Sequence, residues 1–164
     1  MKEIKRVSPV VIKSTPVKTE TRDNWEVVME YTGEGDGPFL VDLSHRPRFD
    51  LQDSNLAAKK PFGMGIPETP GDCVLENGFL ANRMNGTQVS LYNLDGDDTA
   101  TMPDESEYTD VTEATLCVAL IGKNVFSICE KLTALDFMYP KKKGALSFSG
   151  PLFPCSVPDS NYEQ

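Results

Sequence analysis

Histidine and tryptophan each occur once in this sequence, and the four cysteines, Cys73, Cys117, Cys129 and Cys155, stand far apart. No close cysteine pair is present to build a zinc or redox site, and a single histidine leaves carboxylates to supply most ligands of any catalytic zinc. No segment approaches the roughly 18 apolar residues of a membrane span. The first residues, with Lys2, Glu3, Lys5 and Arg6, carry no apolar core of a secretion signal. The expected location is therefore cytoplasmic, and Cys117 and Cys129, in apolar surroundings, read as core thiols. Basic charge is also scarce. With 16 Lys and Arg against 25 Asp and Glu, the net charge is -9, which repels phosphate backbones and anionic lipid. No nucleic acid and no membrane is expected as partner, and a basic protein surface fits better.

What is present describes an ordinary globular chain. Apolar residues make up 39% of 164 and charged residues 25%, enough for one domain with a real core. Residues 1–22 mix Lys, Thr and Pro, with one short apolar stretch broken by Pro9 and closed by Pro16, and read as a loosely held extended arm. Residues 23–158 form a single domain on this reading, and 159–164 a polar tail.

Within that domain the aromatic and β-branched run at 25–31, the turn Gly33-Glu-Gly-Asp-Gly37 and the run at 39–43 predict a β-hairpin. Period-two alternation at 48–52 predicts a strand, and 53–60 a short helix stopped by Pro61 and Gly63. Strands at 72–75, 79–84 and 88–94, joined by Asn77-Gly78 and Asn85-Gly86, predict an antiparallel meander. Residues 95–110 are acidic with no basic residue and read as solvated loop. They lack the central Gly and terminal Glu of a calcium loop. The apolar run at 114–121 reads as the most buried strand, and 124–135 as a helix with one core-facing stripe. Short strands at 145–148 and 152–157 complete the prediction. The expected fold class is α+β, mostly antiparallel sheet with one or two packed helices.

Chemistry concentrates at Asp42-Leu-Ser-His45, where a carboxylate, a hydroxyl and the only histidine follow a predicted strand. Neighbours on a strand point to opposite faces, so Ser44 and His45 do not meet as nucleophile and base. The glycines at 33, 35 and 37 lack the spacing of a phosphate loop, and Glu34 and Asp36 oppose phosphate. No catalytic residue and no metal ligand is assigned.

The order Val41-Asp-Leu-Ser-His45, a short helix, Gly78-Phe-Leu80, and then Val118-Ala-Leu-Ile-Gly122 with a following helix resembles the folate-binding domain of the glycine-cleavage aminomethyltransferase, over about residues 38–157. The gamma subunit of heterotetrameric sarcosine oxidase has the same fold. The resemblance implies tetrahydrofolate as a ligand and Ser44, His45, Arg46, Asn82 and Arg83 as the residues beside it. Arg46, Arg48 and Arg83 would offer guanidinium forks to its carboxylates. Where the family carries its catalytic carboxylate, after the Gly-X-Leu unit, this chain has Ala81 and neutral Asn82, which cannot act as a base. The family's later Gly-Tyr-Thr-Gly-Glu type motif has a counterpart only in Tyr31-Thr-Gly-Glu34, at the wrong end. Two functions are therefore expected. The first is a non-catalytic accessory subunit on a larger flavin-dependent amine oxidase or dehydrogenase, in one-carbon or amine metabolism. The second is a tetrahydrofolate-binding, aminomethyltransferase-like domain, and any activity would be folate-dependent.

Overall fold

Alternating apolar residues on four successive extended segments dictate a half-buried antiparallel sheet, and the computed structural model, which describes residues 4–94 and 100–133, contains it. In chain order the strands are β1 (Arg6–Val7), β2 (Pro16–Arg22), β3 (Trp25–Tyr31), β4 (Phe39–Asp42), β5 (Arg48–Gln52), β6 (Cys73–Glu76), β7 (Phe79–Arg83), β8 (Gln88–Asn93), β9 (Tyr108–Asp110) and β10 (Val118–Ile121). One short α-helix, α1 (Val125–Cys129), follows β10, and 3-10 turns occupy Leu56–Ala58 and Pro61–Gly63. The fold is α+β with mostly antiparallel sheets. Among the described residues no helix is long and apolar enough to cross a membrane.

The largest sheet has the order β6-β7-β8-β5-β9, and all its pairings are antiparallel. One face carries the core: Phe49 and Leu51 from β5, Phe79 and Ala81 from β7, Val89 and Leu91 from β8 and Tyr108 from β9. Leu56 and Met64 from the crossing segment close over it. Phe62 stacks on Phe79 with ring centroids 4.2 Å apart, and a φ of 50° at Phe62 delivers the ring there. The meander β6-β7-β8 forms as its alternation and turn residues predict. Asn77 and Gly78 both adopt positive φ, the geometry a two-residue hairpin turn requires.

Elsewhere pairing differs from expectation. Residues 6–7 and 16–22, read as a loose arm, are strands of a second sheet of order β1-β3-β2, with β1 parallel and β2 antiparallel to β3. The turn that makes this hairpin is Asp23-Asn24, with φ of 44° and 63°, a left-handed pair that Asp and Asn tolerate. With β3 already flanked on both sides, the expected β3-β4 hairpin does not form. Instead β4 pairs with β10, from Asp42 opposite Val118 to Phe39 opposite Ile121. The run at 114–121 is consequently not the most buried strand: β10 covers only its last four residues and none is buried, whereas β5, β7 and β8 hold the core.

The helix expected over 124–135 is shorter, and none of the residues of α1 is buried. Five residues make little more than one turn, too few to present a continuous stripe. Cys117 and Cys129 are half-buried rather than core thiols. Residues 53–60 give only a 3-10 turn, because Lys59 turns back to extended geometry ahead of Pro61. The acidic segment is not loop throughout: 108–110 form β9, and Lys59, which also pairs with Asp53 in its own loop (3.4 Å), reaches across to Glu105 (2.6 Å) and Glu107 (3.0 Å). The cation that the segment lacks in sequence comes from another loop. The strands expected at 145–148 and 152–157 lie outside the described residues.

Candidate functional site

The Asp42-Leu-Ser-His45 stretch is a turn rather than part of a strand, since β4 ends at Asp42. Arg46 N donates to Leu43 O at 2.9 Å, and Asp42 Oδ1 accepts from Ser44 N at 2.9 Å. A side-chain oxygen bonding two residues ahead is the Asx device that lets aspartate start a turn. Ser44 is 1% exposed. Its Oγ accepts from Cys117 N at 3.2 Å, with Cys117 O at 3.5 Å, while Leu43 N donates to Cys117 O at 2.8 Å. The hydroxyl is thus committed to holding the turn against the entry to β10, a structural duty rather than a nucleophile's.

His45 leaves this turn to line two cavities. The first, of about 270 Å³, lies between β3, β4 and the segment joining β1 to β2, and Trp25, Tyr31, Phe39 and Asp42 line it. The second, of about 760 Å³, includes Pro47, Phe49, Met102 and Thr112. Trp25 and His45 line both. Burial raises the pKa of the Tyr31 hydroxyl, and the charges on Asp42 and Glu34 raise it further.

The other expected site residues are not gathered there. Arg46 Nη1 is 3.5 Å from Asn93 Oδ1. Asn82 and Arg83 are adjacent on β7 and therefore face opposite sides of the sheet. Asn82 is buried, with Nδ2 3.3 Å from Met84 Sδ. Arg83 donates to the carbonyls of Pro67 (2.8 Å), Asn85 (3.1 Å) and Gly86 (3.1 Å), where it organises the turn beside β8. Neither cavity lined by His45 includes Ser44, Arg46, Asn82 or Arg83 in its wall.

Arg48 is 2% exposed. Its Nη2 donates to the carbonyls of Thr112 and Thr115, and Nε and Nη1 make no hydrogen bond among the described residues. The alternation at 48–52 places Arg48 opposite the core face. What buries it is residues 111–115, tied down by Val111 N to Arg48 O (2.9 Å) and Arg48 N to Thr112 Oγ1 (3.0 Å). Among the described residues no group of three or more His, Cys, Asp or Glu is placed to hold a metal ion.

No protein-family model matches this chain, and neither the curated proteins nor the solved structures contain a match. The site has to be read from its own chemistry. The Ser44 hydroxyl beside His45 in sequence is engaged with backbone, two of the arginines are engaged with carbonyls, and the wall of the smaller cavity sets aromatic and acidic side chains among aliphatic ones. Sequence reasoning missed the wall residues Trp25, Tyr31 and Phe39. The signal for the first two was their placement on alternate positions of one predicted strand, which puts them on a common face.

Proposed function

We propose that this chain is a non-catalytic accessory subunit that docks on a larger flavin-dependent amine oxidase or dehydrogenase, as its resemblance to the sarcosine oxidase gamma subunit implies. The observation that carries the reading is the β4-β10 ribbon. Leu40 is 48% and Ile121 53% exposed, and Phe39 and Val118 are exposed as well. Because Phe39 pairs with Ile121 and Leu40 with Leu120 on opposite faces, the ribbon presents apolar side chains on both sides. Apolar side chains exposed side by side in this way mark protein interfaces. The net charge of -9 selects a basic surface as the complement.

The alternative, a tetrahydrofolate-binding domain, calls for guanidinium groups turned toward the carboxylates of the ligand. Arg48 and Arg83 donate to backbone carbonyls instead, and Glu26, Glu34 and Asp42 line the smaller cavity beside His45. The accessory reading is therefore preferred.

Purification of the tagged chain from its own source cells is the test. A larger polypeptide with flavin absorbance is expected to co-purify in constant ratio, and Leu40→Asp with Ile121→Asp, shown folded by circular dichroism, is expected to lose it. A chain that purifies alone, or a partner retained by the ribbon variant, overturns the proposal.

A further inference from the structure

The smaller cavity is built from three pieces of chain. Strand β3 contributes Trp25 and Tyr31, β4 contributes Phe39 and Asp42, and the loop between them contributes Glu34. The segment joining β1 to β2 crosses it: Ser8, Val10 and Ile12 line the cavity and are half-buried, while Pro9, Val11 and Lys13 between them are exposed. This alternation turns one side of the crossing segment toward the cavity along its length.

Among the described residues that line the cavity, Glu26, Glu34 and Asp42 are acidic and none is a lysine or arginine. Glu26 is neutralised by an ion pair with Lys5. Among the described residues Glu34 and Asp42 pair with no lysine or arginine. Each is held by one oxygen, Glu34 Oε1 accepting from Tyr31 N at 3.0 Å and Asp42 Oδ1 from Ser44 N at 2.9 Å. The second oxygen of each makes no hydrogen bond among the described residues. Both charges act on the Tyr31 hydroxyl, so they lie within electrostatic reach of one ring.

Aromatic faces attract an ammonium group through the ring quadrupole, and the half-buried carboxylate of Asp42 and the exposed one of Glu34 add a solvent-screened Coulomb attraction. The same wall repels anions. A volume of about 270 Å³ is just under the roughly 300–1,000 Å³ of common ligand pockets, which suits a compound of choline's size and excludes a large cofactor. We infer that this cavity binds a small alkylammonium compound, held by Trp25, Tyr31 and Phe39 and by the carboxylates of Asp42 and Glu34. The cavity shares Phe39 and Leu40 with the exposed ribbon, but every residue in it belongs to this chain, so binding to the isolated chain is read apart from the accessory-subunit reading.

Calorimetric titration of the full chain with choline, and with its carbon analogue in which a tert-butyl group replaces trimethylammonium, tests the assignment. Choline is expected to bind saturably and the neutral analogue about tenfold more weakly. Asp42→Asn combined with Glu34→Gln keeps an oxygen for the Ser44 and Tyr31 amides and removes both charges. It is expected to weaken choline about tenfold and leave the analogue unchanged. Equal affinity for the two compounds, unchanged choline binding in the double variant, or no saturable binding at millimolar choline by a chain shown folded would each overturn it.

Discussion

Replacing Ser44 by alanine removes an oxygen that sits 1% exposed between the turn after β4 and the first residues of the β10 segment. The hydroxyl accepts from Cys117 N at 3.2 Å; the contact to Cys117 O, at 3.5 Å, is at the limit of a hydrogen bond and adds little. Loss of a buried acceptor leaves the Cys117 amide unsatisfied, at a cost of about 1–3 kcal/mol. Spread over a domain of this size that corresponds to a melting temperature lower by roughly 2–4 °C for each kcal/mol. The damage should be local as well. Ribbon pairing begins with Asp42 opposite Val118, next to the lost bond, and the bond from Leu43 N to Cys117 O sets the hydrogen-bonded pairs at Val41-Ala119 and Phe39-Ile121, so amide exchange should speed up at Ala119 and Ile121 before it changes at Val89 or Leu91. Urea denaturation with hydrogen exchange on the same variant reads both effects. A stability change below about 0.5 kcal/mol, with unchanged protection in β10, would refute the reasoning, since surface positions behave that way.

Two further outcomes follow from the same contacts. Hydrogen bonds to Glu105 and then Glu107 raise the Lys59 pKa, and Lys59 lowers that of Glu107. The stabilisation from the raised lysine is full below its unfolded pKa of about 10.4 and is lost as pH rises through the folded value; that from the depressed glutamate is full above about 4.3 and is lost as pH falls through its folded value. Lys59→Met should therefore lower the urea midpoint by a constant amount at neutral pH and by less below about pH 4. A penalty that stays the same into acid contradicts the pairing. At the β2-β3 hairpin, Asn24 has φ of 63°, so Asn24→Ala should destabilise by about 1 kcal/mol while Asn24→Gly stays near neutral. Equal midpoints for the two variants count against a left-handed requirement there.

How much of this was legible in the sequence differs from element to element. The strands β5 to β8 were, because each carries its own period-two pattern and Asn77-Gly78 announces the turn between β6 and β7. The pairing of β4 was not. Its partner β10 lies far along the chain, and no local pattern distinguishes an apolar strand destined for a core from one placed in an exposed ribbon. The Asp23-Asn24 turn was readable in principle, since both residue types accept positive φ, but Pro9 and Pro16 interrupt the apolar pattern of the chain ahead of it.

For the candidate site the division has the same cause. Residue types and local spacing, which the sequence carries alone, determined the fold class, the scarcity of metal-binding and basic residues, the acidic net charge and the turn at Asn77-Gly78. Tertiary structure alone decided what those side chains meet. It turned the Ser44 hydroxyl onto Cys117 and buried Arg48 beneath residues 111–115. It also carried Lys59 across to an acidic segment and brought Trp25, Tyr31 and Phe39 around one cavity with Asp42. Each of these is a contact between segments distant in sequence, and burial and electrostatic environment are properties of such contacts rather than of any residue's own neighbours along the chain.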